Sequence, residues 1–94
     1  MSEIQFKWDE EKNKINIKKH EVSFEEAKTV FYDENAKLIS DPDSSDDEER
    51  FIILGISRTL KVLVVCHCYR ESENIIRIIS ARKAGSNEIK AYGE

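Results

Sequence analysis

Three apolar runs in the second half of the chain constrain its fold most strongly. They read RFIILGIS (50–57), KVLVVCHC (61–68) and NIIRIISAR (74–82). Each run has the length and the isoleucine and valine content that are typical of a β-strand. The connections between them, RTL and YRESE, are short and polar, and connections of this kind join antiparallel neighbours. This half of the chain is therefore predicted to form an antiparallel meander.

The first half of the chain predicts one short strand and two helices. IQFKW (4–8) alternates apolar and polar residues, as a strand with one buried face does. Asp9 is placed to cap a helix that runs to His20 and carries acidic residues in its first turn. Ser23 and Glu26 have the spacing of a capping box, which marks the start of a second helix.

The order of these elements predicts an α+β fold. AKLIS (36–40) extends the meander to about four strands, and SNEIKAY (86–92) predicts a short C-terminal helix capped by Ser86 or Asn87. Because strands and helices are segregated along the chain, we expect the N-terminal strand and two helices to pack on a curved, mainly antiparallel sheet. One face of that sheet is expected to stay available. The length fits a single domain over residues 1–94.

Composition limits the setting in which the chain works. No apolar run approaches the roughly 20 residues that cross a bilayer, and the N-terminal MSEIQFKWDEE lacks the basic start and apolar stretch of a signal peptide. A cytoplasmic protein without membrane contact is expected. Cys66 and Cys68 lie two residues apart on one predicted strand, where a disulfide between them would be strained, so both are expected to be free thiols.

Charge is divided between the two halves of the chain, although the formal net charge is only −4. Residues 1–49 carry 15 acids against 7 lysines, whereas residues 50–94 carry 8 basic side chains against 4 glutamates. All five arginines lie in the second half. A guanidinium binds phosphate or carboxylate oxygens through two parallel hydrogen bonds, so this distribution indicates an anion site on the meander.

Arg77 lies in the middle of a predicted strand, with Ile75 on the same face. A cation there is paired, reaches water or binds an anion, because an unpaired buried charge is strongly unfavourable. Arg50 begins the first strand of the meander, and Arg82 ends the last, where alternation places it with Ile78 on the face opposite Arg77. For each arginine taken alone, pairing with an acid at the surface is the ordinary interpretation. The strands are neighbours, so several of these side chains can converge.

His67 is a second polar residue in the middle of a strand. A lone histidine on an apolar face is more often a hydrogen-bonded core residue than a catalyst. Alternation sends it to the face opposite Cys66 and Cys68, so no metal site is expected from CHC. The acidic segment DPDSSDDEE (41–49) lacks the glycine and ligand spacing of a calcium loop and predicts a solvated loop. We expect neither a metal nor another cofactor.

The available side chains fit one class of reaction. The sequence has no glycine-rich phosphate loop and no zinc motif. Arginine, histidine, lysine and a carboxylate such as Glu49, which adjoins Arg50, suffice for metal-free cleavage of RNA. The neighbouring 2′-hydroxyl is the nucleophile in that reaction, so the protein needs only a base, an acid for the leaving oxygen and cations for the phosphorane charge.

Six segments carry a resemblance to a known family. They are FKWDEEKN (6–13), NIKKH (16–20), VSFEEA (22–27), ERFIILGIS (49–57), VVCHCYRE (64–71) and IIRIISARKA (75–84). In these segments the chain resembles the BrnT family of bacterial type II toxins. The resemblance implies a fold similar to that of the RelE and ParE toxins and a ribonuclease that inhibits translation. It also implies an antitoxin of the BrnA type, through whose ribbon-helix-helix domain the pair binds operator DNA.

The resemblance also implies roles for residues that match the family's pattern. The expected phosphate ligands are three arginines on or beside the strands: Arg50, Arg77 and Arg82. The expected proton carriers are two histidines and a carboxylate: His20, Glu49 and His67. Three further basic side chains are expected to contact RNA: Lys19, Arg70 and Lys83.

Two other functions remain open at this stage. GSN (85–87) stands where the family usually continues with threonine and basic residues. The chain is therefore alternatively a catalytically weak homologue that acts mainly with the antitoxin as a co-regulator of operator binding. A stand-alone regulatory domain that binds a small anion requires only the arginine cluster.

Overall fold

The computed structural model describes residues 4–42, 48–70 and 74–94. Within these ranges lie five strands, three α-helices and one 3-10 turn. They are β1 (Gln5–Lys7), α1 (Glu10–His20), α2 (Phe24–Thr29), the 3-10 turn (Val30–Tyr32), β2 (Lys37–Ser40), β3 (Phe51–Ile56), β4 (Val62–Arg70), β5 (Ile75–Lys83) and α3 (Ser86–Gly93). Most of the predicted acidic loop lies outside the described residues. No helix within them is long and apolar enough to cross a membrane.

The strands form one mixed sheet in the order β1-β5-β4-β3-β2. Strands β2 to β5 are joined as the predicted antiparallel meander. Strand β1 pairs in parallel with β5, and two helices and the three other strands lie between these two strands along the chain. The predicted α+β class is confirmed, and the N-terminal strand is the fifth strand of the sheet.

The helix starts follow the capping signals of the sequence. The Asp9 carboxylate accepts from the backbone N–H groups of the second and third residues after it at 2.8 and 3.3 Å, and the Ser23 hydroxyl accepts from the Glu26 N–H at 3.0 Å. The predicted cap of α3 at Ser86 or Asn87 is wrong. Gly85 is the N-cap, because its N–H donates to the Glu88 carboxylate at 2.8 Å.

The hydrophobic core lies between α2 and one face of the sheet, hereafter the covered face. Phe24 and Ala27 of α2 are fully buried and belong to one cluster with Leu63, Val65 and Ile78 of the central strands. Complete burial of one such large apolar side chain contributes about 1.5–3 kcal/mol. The core therefore fixes α2 over β4 and β5.

Helix α1 is held by a polar side chain. Its two isoleucines, Ile15 and Ile17, are exposed, whereas Asn16 is buried. The Asn16 Nδ2 group donates to the carbonyl oxygens of Val22 and Ala81 at 2.8 Å, and its Oδ1 accepts from the Ala81 N–H at 3.1 Å. Strand β1 pairs only with the first part of β5, so this amide takes the place of a neighbouring strand along the rest of that edge.

The other face of the sheet, hereafter the arginine face, is partly covered by α3. The Arg82 guanidinium binds the Glu88 carboxylate, and the Lys37 ammonium donates to backbone carbonyl oxygens at the end of α3, including that of Ala91. The expectation that the helices cover only one face is therefore wrong. The contacts of Lys37 and Arg82 with α3 hold this helix across the arginine face.

A β-bulge in β5 reverses the alternation of its side chains. Cys66 pairs with Ser80, and the next residue, His67, pairs with Ile78, so Ile79 is the extra residue. The prediction that Arg82 shares a face with Ile78 is wrong for this reason. The inserted residue moves every later side chain of β5 to the opposite face.

Candidate functional site

The three predicted phosphate ligands, Arg50, Arg77 and Arg82, lie on the arginine face. In the β4–β5 register, Arg77 is opposite Cys68 and Arg82 is opposite Val64. Cys68 and Val64 are four residues apart on β4 and therefore point to the same side. Arg50, immediately before β3, borders a cavity with Val64 on this side. The structure thus places the three predicted phosphate ligands on one face of the sheet, and Arg50 and Arg82 border the same cavity.

A cavity of about 340 Å³ opens on the arginine face. Its chemically active lining consists of two cations, an imidazole, a carboxylate, a thiol and a hydroxyl: Arg50, Arg82, His20, Asp41, Cys66 and Ser80. His20 reaches it because Asn16 holds α1 along the β5 edge. The cavity therefore presents a candidate proton carrier beside two candidate anion ligands.

The Arg50 side chain has an unused donor. Within the part of the chain that the structure describes, its Nε atom is buried and has no hydrogen-bond partner. A buried N–H left unpaired is unfavourable by about 1–3 kcal/mol. An oxygen of a bound anion would satisfy it, which favours anion binding at this end of the cavity.

Cys66 is not suited to nucleophilic chemistry. Its Sγ atom lies 3.6 Å from an Asp41 carboxylate oxygen. Burial, followed by the Asp41 charge, raises the pKa of the Cys66 thiol to about 11. The thiol is consequently protonated at neutral pH. As predicted, both cysteines are free.

Glu48 is the carboxylate that stands beside the arginines. A hydrogen bond from Cys68 lowers the pKa of Glu48, and the charges of Arg70, Arg50 and Arg77 lower it further. Its Oε2 atom lies 3.6 Å from the Arg70 Nη2 atom. Sequence reasoning selected Glu49 and missed Glu48. Glu48 lies two residues before Arg50, so in an extended chain the two side chains point to the same side. Glu48 is thus the counter-ion of this cluster.

Arg82 is already paired within the chain. Its Nη1 and Nη2 atoms donate to the two Glu88 carboxylate oxygens at 2.8 and 2.7 Å. The hydrogen bonds from Arg82 and then from the Gly85 N–H lower the pKa of Glu88 to about 2. An anion that binds Arg82 must therefore share or displace this carboxylate.

Two predicted proton carriers lie away from the arginine face. His67 is fully buried on the covered face, where its ring packs against Phe31 at a centroid distance of 4.7 Å. Burial lowers the pKa of His67. Glu49 is exposed and borders a second cavity of about 810 Å³ with Phe51 and Tyr69. The structure does not bring either residue together with the phosphate ligands.

The predicted RNA-binding residues occupy three separate places. Lys19 is exposed in the last turn of α1. The Lys83 ammonium lies 3.6 Å from the Glu21 carboxylate, and Arg70 is engaged with Glu48. None of these three cations lines the cavity of about 340 Å³, and Arg70 borders the second cavity.

Comparison with known proteins gives the same assignment for most of the chain. The family model described as ribonuclease toxin, BrnT, of type II toxin-antitoxin system matches residues 8–88. The crystal structure of the Brucella abortus ribonuclease toxin BrnT superposes with a TM-score of 0.67 at 25% sequence identity, covering 88% of this chain and 99% of that one. No curated protein sequence matches. The chain therefore belongs to the BrnT family of ribonuclease toxins of type II toxin–antitoxin systems.

Proposed function

We propose that this chain is a single-domain toxin that cleaves RNA without a metal ion and thereby inhibits translation in the cytoplasm. In this proposal the fold is of the RelE/ParE type, and a BrnA-like antitoxin neutralises the toxin. The antitoxin also carries the complex to operator DNA. Membership of the BrnT family supports the toxin and its antitoxin partner.

The observation that carries this proposal is the position of Arg50, Arg82 and His20 around one cavity of the arginine face, the face that also carries Arg77. Negative charge develops on the phosphate oxygens as the neighbouring 2′-oxygen attacks phosphorus. Fixed guanidinium groups stabilise that charge more in the transition state than in the ground state. The unpaired Nε donor of Arg50 supports direct contact with one of these oxygens.

His20 is proposed to transfer a proton in this reaction. The 2′-oxygen loses its proton and bonds to phosphorus while the bond from phosphorus to the 5′-oxygen breaks, and the 5′-oxygen receives a proton. The products are a 2′,3′-cyclic phosphate and a 5′-hydroxyl. An imidazole is suited to either proton transfer near neutral pH. His20 is preferred to His67 because His67 lies on the covered face.

The test is cleavage of a single-stranded RNA by the purified chain in the presence of EDTA. Wild type is expected to release fragments with cyclic phosphate ends, and His20→Gln to slow this release by about 100-fold. Lys18→Gln, an exposed change in the same helical turn, is the matched control and should cleave normally. Loss of cleavage in EDTA, or equal rates for wild type and His20→Gln, would contradict the proposal.

One observation favours the second candidate, a weak homologue that acts with the antitoxin as co-regulator of operator binding. Arg82 and Arg70 are already paired with Glu88 and Glu48, so two cations near the site are partly neutralised. Under this alternative, expression of wild type without antitoxin leaves cellular RNA intact and growth normal. The same protein would still form the antitoxin complex and alter its affinity for operator DNA.

A further inference from the structure

The larger cavity, of about 810 Å³, has no role in RNA cleavage as proposed above. It lies where the ends of β3 and β4 meet the 3-10 turn, and aromatic rings of Phe31, Phe51 and Tyr69 line it. The Phe51 and Tyr69 rings meet edge to face at a centroid distance of 5.3 Å. Such a wall offers flat, electron-rich surfaces to a ligand that carries positive charge.

The rim of this cavity is acidic. Glu48 and Glu49 border it together with one cation, Arg70. The ion pair between Arg70 and Glu48 offsets these two charges, whereas Glu49 makes no ion pair with any residue that the structure describes. The charge around the opening therefore favours a cation and disfavours the phosphates of RNA.

A buried acceptor lies beneath the aromatic wall. The His67 Nδ1 atom is 3.3 Å from the Val65 carbonyl oxygen, and because a carbonyl can only accept, Nδ1 carries the ring hydrogen. The Nε2 atom is then a bare acceptor, buried and without a partner among the described residues. The rings of all three aromatic lining residues contact this imidazole. The cavity thus offers aromatic faces, and an unpaired acceptor lies behind the rings that line it.

We propose that this cavity binds an arginine side chain from a basic segment of the partner antitoxin. A guanidinium is planar, so it can stack on the Phe51 and Tyr69 rings while its N–H groups donate to Glu49. A further N–H would satisfy the His67 acceptor after a small movement of the rings. The inference rests on the antitoxin partnership of the proposed function and is independent of RNA cleavage. RNA and antitoxin would then occupy different faces of the sheet.

The first experiment uses a capped pentapeptide with one arginine between leucines, and the same peptide with neutral citrulline in place of arginine. Binding is followed by NMR through the ring signals of His67 and Tyr69. The arginine peptide is expected to shift both signals and to bind at least about tenfold more tightly than the citrulline peptide. Glu49→Gln should remove most of this preference. Glu34→Gln, an exposed acid outside the cavity, should retain it.

A second measurement uses the complete antitoxin. Glu49→Lys is expected to raise the Kd of the toxin–antitoxin complex by at least about tenfold, and Glu34→Lys to leave it unchanged. Equal binding of the two peptides, no effect of the Glu49 variants, or a shift of the His67 signal by a short single-stranded RNA would overturn the inference. A wild-type protein that binds the arginine peptide but cuts no RNA would refute the cleavage proposal alone.

Discussion

Arg77 and Arg82 point to the same side of β5 although they are five positions apart along the chain. Strict alternation would place two such side chains on opposite faces. The extra residue at Ile79 removes this conflict, because it opposes no residue of β4 and shifts the later alternation by one. Bulges often direct a side chain toward a functional site in this way. The arginine face depends on this bulge.

Replacement of Arg77 tests whether this face binds the reacting phosphate. Arg77→Ala is expected to lower kcat/KM for RNA cleavage by about 100-fold, because a guanidinium near the phosphorane charge is lost. Arg77→Lys should have an intermediate effect, since it keeps the charge and loses the bidentate geometry. Steady-state kinetics on a short RNA give both values.

Arg77→Ala should also change the salt dependence of RNA binding, whereas Arg77→Lys, which keeps the charge, should not. Loss of one phosphate contact reduces the slope of log affinity against log salt by about one. Arg58→Ala removes an exposed arginine in the β3–β4 connection and is the matched control. If Arg58→Ala and Arg77→Ala reduce cleavage equally, the effect is one of general charge and the assigned role of Arg77 is wrong.

Much of the fold could be predicted because local signals agreed with it. The isoleucine and valine runs gave the three long strands, and Asp9 and Ser23 gave the helix starts through hydrogen bonds made within their own turns. Signals of this kind involve neighbours in sequence, so one chain is enough to find them. The arginines were selected by their chemistry and His20 by the family resemblance, and their roles in the site stay predictions.

The remaining features depend on contacts between distant segments. The bulge at Ile79 follows from the pairing of β5 with β4. No residue near Ile79 in the sequence indicates this register. Asn16 is a surface residue by its type and is buried only because the β5 edge needs a partner. Whether Glu48 or Glu49 lies beside the arginines depends on which of the two side chains points to the arginine face before β3 begins. Register and edge pairing therefore set the limit of prediction here.

Asn16→Ala is expected to lower the free energy of unfolding by about 2–4 kcal/mol. The change leaves the Ala81 N–H and the carbonyl oxygens of Val22 and Ala81 without their present partner, and each unsatisfied buried group is unfavourable by about 1–3 kcal/mol. Urea denaturation measures the difference. Asn13→Ala removes a single hydrogen bond to the Phe24 N–H and should have the smaller effect. The reverse order would show that Asn16 does not anchor α1.

Gly55→Ala is expected to destabilise the fold by about 1–3 kcal/mol through overpacking. A Cβ atom at Gly55 would lie 2.8 Å from the Val30 Cγ1 atom and 3.0 Å from both the Ala36 Cβ and Asp33 Oδ2 atoms. Gly93→Ala is the matched control, because a Cβ atom there meets nothing within 4 Å. Thermal denaturation of both variants compares them directly, and an unchanged Tm for Gly55→Ala would contradict the packing described here.

His67→Phe should make the protein less sensitive to acid. Burial lowers the pKa of His67 from its ordinary value of 6.5, so the unfolded chain binds a proton there more readily than the folded chain. The folded state therefore loses stability as the pH falls below about 6.5, by no more than about 1.4 kcal/mol per pH unit. Urea denaturation between about pH 8 and pH 5 should show a shallower decline for His67→Phe.

The same variant separates the two histidines in function. Phenylalanine preserves an aromatic ring in the cluster but cannot transfer a proton. If His20 is the proton carrier, His67→Phe retains RNA cleavage at neutral pH while His20→Gln loses it. Loss of cleavage by a folded His67→Phe protein would show that His67 takes part in the reaction.

Glu88→Gln is expected to weaken the attachment of α3 at neutral pH and to have little effect in acid. The pKa of Glu88 is lowered from its ordinary 4.5 to about 2, first by Arg82. Its stabilising contribution is therefore present above about pH 4.5 and disappears as the pH falls toward 2. The Arg82 and Glu88 side chains are 46% and 35% exposed, so solvent screening limits the effect to about 0.5–1 kcal/mol. Chemical denaturation of wild type and Glu88→Gln at several pH values measures it. The difference should shrink through this window, and a difference that grows as the pH falls would show that the Arg82 pair does not stabilise the fold.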